Sequence, residues 1–359
     1  MKICYIVNDL NKRAGTEKAV TLIANKMAEL GHDITILSFI NIVSPGYKLN
    51  ENIKILDLDI QGSLKVKYIS VIKKIRKIVK KYNFDFVVEA EVYNRLFTTT
   101  ALAYLDVKVV TWEHFNYFVT LGRKERAFAR VLASKYSDAI VTLTERDRNN
   151  YLDNLKCKAI IKSIPNAVEF TPQFTCNYEN KNILAVGRLT YQKGFDILLR
   201  CWNDVVKCGK ASGWILNIVG NGEDKEKLEN YIIENGIEKN VIIHEPTSKI
   251  EEFYKGSSIY VMTSRFEGLP MVLIEAMSFG MPVVSLDCQT GPAELIVDGE
   301  NGYLCEVDDF ETFCTRLISL IECIEMREVM GKEAKKVIDR LDIDIILNKW
   351  IELFKELGV

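Results

Sequence analysis

Short apolar runs alternate along this chain with stretches in which apolar residues recur every three or four positions. The first kind suits buried strands and the second suits helices. In the first half, strands are predicted over residues 3–7, 34–39, 54–58, 84–89, 107–112 and 139–143. Helices are predicted over 17–30, where Gly31 follows, over the basic stretch 65–81, and around 123–136. The pattern restarts in the second half, with strands at 182–186, 214–219, 241–244, 258–262 and 282–286. Helices are predicted between them at 195–208, 224–235 and 271–280, and late helices at 309–322, 326–340 and 343–357. Strands separated by helices of this length argue for parallel sheets in an α/β fold. Residues 164–178 have little apolar periodicity and read as the connection between the two series. The expected organisation is two doubly wound, Rossmann-like domains facing each other across a cleft. The first covers 1–165, completed by a C-terminal helix at about 343–359, and the second covers 166–342. The length of 359 residues lets each bury its own core.

In such folds ligands bind outside the carboxyl ends of the strands. The segments with chemical character fall there. Gly187-Arg188-Leu189 through Lys193-Gly194 follows one strand and precedes a helix. Arg188 could grip a diphosphate with two parallel bonds and Lys193 could act as a point charge, although two surface cations on a turn would read the same way. The stretch Arg265-Phe266-Glu267-Gly268-Leu269-Pro270 to Glu275 also follows a strand. Glu267 is expected on the loop and Glu275 about two turns into the next helix, with Pro270 at its first position. Eight residues at ~1.5 Å each separate them by roughly 12 Å, too far for a catalytic carboxylate pair. They could instead hold two ends of one elongated ligand, with the helix start offering N–H groups to an anion.

Other segments are weaker. Gly15 could let backbone approach a phosphate and Thr16 could cap the following helix. Gly220-Asn221-Gly222 reads as a tight turn or a cleft lining. His114 ends a strand, in Trp112-Glu113-His114-Phe115. None of these completes a dinucleotide fingerprint or a P-loop. Asp57-Leu58-Asp59 and Asp342-Ile343-Asp344 have the form of a cation-holding pair, but the second suits the start of a helix. No zinc spacing is present, and no metal site is expected.

Composition sharpens this picture in one respect. The net charge of −2 hides an asymmetry. Residues 1–165 hold 27 Lys and Arg against 17 Asp and Glu, and the remainder hold 20 against 32. Much of the excess lies in residues 65–81, with eight basic residues and no acidic one. Ile69, Ile72 and Val79 would form the buried stripe of a helix there, with lysines outward. That outward face is either a solvated surface or an attachment to anionic lipid head groups. With one aromatic, Tyr68, and no recognition motif, nucleic acid is not an expected partner. No run of 18 apolar residues exists, and the first strand lacks the form of a signal peptide. Nine cysteines without a C-x-x-C read as reduced thiols, which suits a cytoplasmic location.

Together these segments resemble glycosyltransferase family 4, the retaining, nucleotide-sugar-dependent transferases with a GT-B fold. The resemblance rests on Gly187-Arg188-Leu189…Lys193-Gly194, on Glu267 and Glu275 around Gly268-Leu269-Pro270, and on Gly280-Met281-Pro282…Gly291-Pro292-Ala293-Glu294…Gly299…Gly302. Gly15-Thr16-Glu17 and Glu113-His114-Phe115 fit too, except that Ala14 stands where the family often has a second glycine. The resemblance implies that Arg188 and Lys193 hold the donor diphosphate. It implies that Glu275 accepts bonds from ribose, and that Glu267 with the N–H groups of Gly268 and Leu269 holds sugar and phosphate. Gly15, Thr16, Gly187 and Gly220 would line the nucleotide-sugar site, and His114 would meet the transferred sugar. The expected activity is hexosyl transfer, of galactose, glucose or N-acetylhexosamine, from a UDP-sugar to a lipid-linked saccharide at the inner face of a membrane. No cofactor or metal would be needed beyond the nucleotide-sugar. A nucleotide-sugar epimerase of the same fold, or a binding protein without turnover, stays open at this point.

Overall fold

The computed structural model describes residues 1–60, 62, 66–120, 122–168, 172 and 174–358. The chain divides into two compact units, Met1–Glu169 with Leu341–Val359, and Phe170–Arg340. Part of the connecting stretch 164–178, and Lys65 at the start of the basic run, lie outside the described residues.

The first unit is built on seven strands: β1 (Lys2–Val7), β2 (Asp33–Ser38), β3 (Lys54–Asp57), β4 (Phe86–Glu89), β5 (Lys108–Trp112), β6 (Ala139–Thr142) and β7 (Ile160–Ser163). Their order in the sheet is β3-β2-β1-β4-β5-β6-β7, with every pairing parallel. The central strands are covered on both faces, which is why they read as unbroken apolar runs rather than alternating ones. The helices are α1 (Gly15–Glu29), α2 (Tyr68–Tyr82), α3 (Arg95–Ala101), α4 (Glu125–Tyr136) and α5 (Glu145–Asn154). The C-terminal helix, Ile343–Glu356, belongs to this unit. Asp342 caps it by accepting the Asp344 N–H at 2.9 Å. Trp350 meets Trp112 edge to face at 4.7 Å between ring centres, and Phe354 lies 4.4 Å from Phe86. The chain therefore returns to the first sheet after completing the second unit.

The second unit has six parallel strands: β8 (Asn182–Val186), β9 (Ile215–Val219), β10 (Val241–His244), β11 (Ile259–Met262), β12 (Val283–Leu286) and β13 (Gly302–Cys305). Their order is β10-β9-β8-β11-β12-β13. Its helices are α6 (Phe195–Lys207), α7 (Lys225–Glu234), α8 (Ile250–Gly256), α9 (Met271–Ser278), α10 (Pro292–Leu295), α11 (Phe310–Glu322), α12 (Ile324–Lys335) and α13 (Val337–Leu341).

Four expectations need correction. Val71, Ile75 and Val79 form the buried stripe of α2, while Ile69 is 67% exposed among the outward lysines. Thr16 does not cap α1: Ala14 occupies the cap position with no side-chain bond, and the helix opens at Gly15. Pro270 is the cap residue of α9, so Glu275 is its fifth residue and sits just past the first turn. The helix expected over 326–340 is two helices, broken at Lys336.

Candidate active site

In each sheet the strand order reverses beside the first strand of the unit, between β1 and β4 and between β8 and β11. Loops leaving two such neighbouring strands diverge onto opposite faces and leave a crevice at their carboxyl ends. In the second unit the two loops are 187–194 after β8 and 263–270 after β11. Gly194 has a φ of +65°, and a Cβ there would lie 2.0 Å from the Thr263 carbonyl oxygen, so only glycine lets the loops come this close. Arg265 donates its backbone N–H to the Gln192 carbonyl at 2.8 Å, and the Gln192 amide donates to the Phe266 carbonyl at 3.1 Å. The Arg265 guanidinium also clasps Asp196 with two bonds of 2.8 Å, holding that carboxyl below its usual range.

This stitching joins two of the sequence candidates. Lys193 Nζ lies 2.7 Å from Glu267 Oε1. Ser264 donates to the same oxygen at 2.7 Å, and Thr290 donates to the Glu267 carbonyl. Glu267 is 7% exposed, and these hydrogen bonds satisfy its buried oxygens. Lys193 also packs its stem against Gly187, where a Cβ would meet it at 3.3 Å. Arg188 is exposed at the end of β8 and pairs with no carboxylate among the described residues. Gly220, after β9, sits against Gly187: a Cβ on Gly220 would lie 1.9 Å from the Gly187 carbonyl oxygen.

Gly268 and Leu269 lead into α9, whose start carries no side-chain cap. Its first amide groups and its positive dipole end are thus available to an anion. Glu275 is not joined to Glu267. Its Oε2 accepts from the buried Tyr254 hydroxyl at 3.0 Å, and the Tyr254 ring stacks on Phe279. Burial, together with the adjacent Glu275 charge, holds the Tyr254 hydroxyl protonated.

In the first unit, Gly15 is exposed at the open start of α1, with no atom near a Cβ placed there. Thr16 is half-buried in the first turn. His114 follows β5, its ring tilted by 38° against Trp112 at 4.6 Å between centres, and is 8% exposed. Burial lowers its pKa to about 3, so the ring is neutral in ordinary conditions, and its Nε2 has no partner among the described residues. The sequence reading missed what surrounds it. Arg126 and Arg130 lie one turn apart on α4, both buried, paired with Glu91 and Glu113. Asp147 on α5 is lifted to about 7 by burial. Charged residues on a helix are ordinarily solvated, so nothing in the local sequence marks these as interior. His244 and His32 bond Asn217 and the N-terminal amine, respectively. Among the described residues no group of three or more His, Cys, Asp or Glu side chains is arranged as metal ligands would be.

Known proteins match this chain along nearly its whole length. Residues 168–337 match the family described as glycosyl transferases group 1, and residues 13–171 match glycosyltransferase family 4. An uncharacterised glycosyltransferase of Haemophilus influenzae is 35% identical over 97% of this chain and 98% of its own length. The amylovoran biosynthesis glycosyltransferase AmsD of Erwinia amylovora is 28% identical over 98% and 99%. Among solved structures, the lipopolysaccharide outer core galactosyltransferase WaaB superposes with a TM-score of 0.80 at 22% identity, covering 99% of this chain and all of that one. TarM of Staphylococcus aureus gives 0.82 at 17% identity, over 99% and 100%. The fold is GT-B, and the chain belongs to the group 1, family 4 glycosyltransferases. It is a hexosyltransferase of polysaccharide or lipopolysaccharide biosynthesis.

Proposed function

We propose that this enzyme transfers a hexose with retention of configuration from a UDP-sugar to a lipid-linked saccharide, without a metal ion. The observation that carries the donor assignment is the convergence, at the β8–β11 switch point, of Lys193, Glu267 and the uncapped start of α9. Negative charge develops on the departing diphosphate, so fixed cations that hold it more tightly in the transition state lower the barrier. Arg188 and Lys193 take that role. The Gly268 and Leu269 amides, with Glu267, hold phosphate and sugar. Glu275 accepts from the ribose hydroxyls, and Gly187 and Gly220 line the nucleotide. Among the first unit's residues, Gly15 and Thr16 are assigned to donor binding and His114 to the transferred sugar. The choice of uridine draws support from the Anabaena protein HepE, of the same fold, which was solved with UDP-glucose. The choice of a hexose and of a saccharide acceptor draws support from the lipopolysaccharide 1,6-galactosyltransferase of Salmonella typhimurium, 42% identical over 30% of this chain.

A screen of UDP-, GDP- and ADP-sugars tests this, read as thermal stabilisation and as acceptor-dependent release of nucleotide. UDP-sugars are expected to stabilise the protein and to yield UDP when acceptor is added. Formation of a new sugar nucleotide without acceptor would point to an epimerase instead. Stabilisation by no sugar nucleotide would sink the donor assignment.

The lipid-linked acceptor goes with a cytoplasmic enzyme resting on the inner face of the membrane. No helix among the described residues is long and apolar enough to cross it. The exposed lysines of α2, Lys73, Lys77, Lys80 and Lys81, support attachment to anionic lipid, at ~1 kcal/mol for each basic residue near the surface. Binding to phosphatidylglycerol vesicles should fall with added salt. Binding insensitive to salt and to anionic lipid content would remove this part.

A further inference from the structure

One buried side chain reaches three points of the segment around His114. Arg130 is 2% exposed. Its Nε donates to Glu113 Oε2 at 2.9 Å, and its Nη2 donates to the carbonyls of Asn116 and Val119 at 3.0 and 2.9 Å. Glu113 is fully buried. Its Oε1 accepts the Phe115 N–H at 3.1 Å, bridging across His114, and its Oε2 also accepts from the Tyr151 hydroxyl at 2.9 Å. Further along, the Tyr117 N–H donates to Asp147 Oδ1 at 2.7 Å. Positions on both sides of His114 are thereby fixed to α4 and α5. The imidazole itself lies against Trp112 with Nε2 unpartnered among the described residues.

We propose that Arg130, acting with Glu113, is a positioning residue that fixes the His114 ring for the transfer reaction. The proposal rests on the reading of His114 given above. Only a guanidinium meets the geometry: one planar fork reaches a carboxylate and two backbone carbonyls spread over seven residues of chain, from 113 to 119. A lysine has the charge but not the fork. A buried ion pair is by itself weak evidence of a contribution to stability, which leaves orientation as what this one supplies.

Two variants test it. Arg130→Lys keeps the charge and loses the fork. The double variant Glu113→Gln with Arg130→Gln removes both charges together, because Arg130→Gln alone would strand a buried carboxylate. With only three histidines in the chain, the His114 ring can be followed by NMR. In the wild type it is expected to titrate at about 3. In the double variant the freed loop should let water reach the ring, and its pKa should climb towards the ordinary ~6.5. An unchanged titration overturns the proposal. This measurement uses the protein alone, so it decides the positioning even where no UDP-sugar is turned over. With a UDP-sugar and acceptor that do react, Arg130→Lys should lower kcat by about 10²-fold, the scale of a 1 Å misplacement, with little change in donor KM. The same substitution in a His114→Ala background should cost almost nothing further. An equal loss in that background would mean that Arg130 serves the fold alone, and the proposal would fall.

Discussion

Lys193 and His114 sit in environments that their neighbours in sequence do not reveal. Lys193 was legible as a cation on a strand-end loop, but its bond to Glu267 spans 74 residues and depends on the order of strands in the sheet. Lys193→Ala is expected to lower kcat by ~10²–10³, or about 3–4 kcal/mol, the usual cost of removing one donor to a developing anion. Steady-state kinetics on the preferred sugar nucleotide would check this, with circular dichroism as the control for folding. Asp147 carries a pH prediction. Its folded pKa, about 7, is raised above the ordinary 3.8, chiefly by burial. The native state therefore holds a proton that the unfolded chain has released between those two values. Stability falls as pH rises through this window and levels off above it. Asp147→Asn, which can still accept the Tyr117 N–H, should flatten that slope. Urea denaturation of both proteins at pH 5 and pH 8 measures it, and an unaltered pH slope in the variant would contradict the raised pKa. Neither Asp147 nor the buried Arg126 and Arg130 was legible in sequence, because burial of a charge is decided by which helices pack together, not by local periodicity.

At the scale of elements, the long buried strands and the longer helices were readable because parallel strands covered on both faces keep unbroken apolar runs. The helices that escaped include α3 and α8, seven residues each, and α5, ten residues that are almost wholly polar, while the strands that escaped, β7 and β13, lie at sheet edges. Those helices have too few turns or too few apolar residues for their period to emerge. The stripe expected on α2 holds at Val79 and, half-buried, at Ile72, but Ile69 is apolar yet faces outward near the start of the helix. The turns that bring elements together were visible only as glycines. Gly220→Ala should destabilise by at least ~1–3 kcal/mol, because its Cβ would collide with backbone rather than with a movable side chain. Thermal or chemical denaturation reads this directly, and unchanged stability would mean the β8 and β9 loops are looser than they stand. Trp350→Ala should cost ~3–5 kcal/mol and should also free the Trp112 ring on which His114 rests.

For the molecule as a whole, each unit has its own sheet and core, and the chain leaves the first unit and returns to it through the C-terminal helix. The charged residues assigned to the donor diphosphate and ribose, Arg188, Lys193, Glu267 and Glu275, belong to the second unit. A fragment of residues 170–340 should accordingly fold alone and be stabilised by UDP, whereas residues 1–168 without the C-terminal helix should not fold stably. Circular dichroism and thermal shift on the two fragments check both statements. The two-unit plan and the donor-side candidates were legible because strand-loop-helix punctuation recurs twice along the chain. The surroundings of the first unit's candidates were less so, because they are side-chain pairs between separate elements. Titration calorimetry with UDP is the most direct measurement of the donor assignment, comparing the wild type with Arg188→Ala, Glu275→Ala and the distant control Asp298→Ala. Binding should weaken by about tenfold or more in the first two, the loss of one charged hydrogen bond, and stay unchanged in the control. Equal affinity in all four proteins would contradict it.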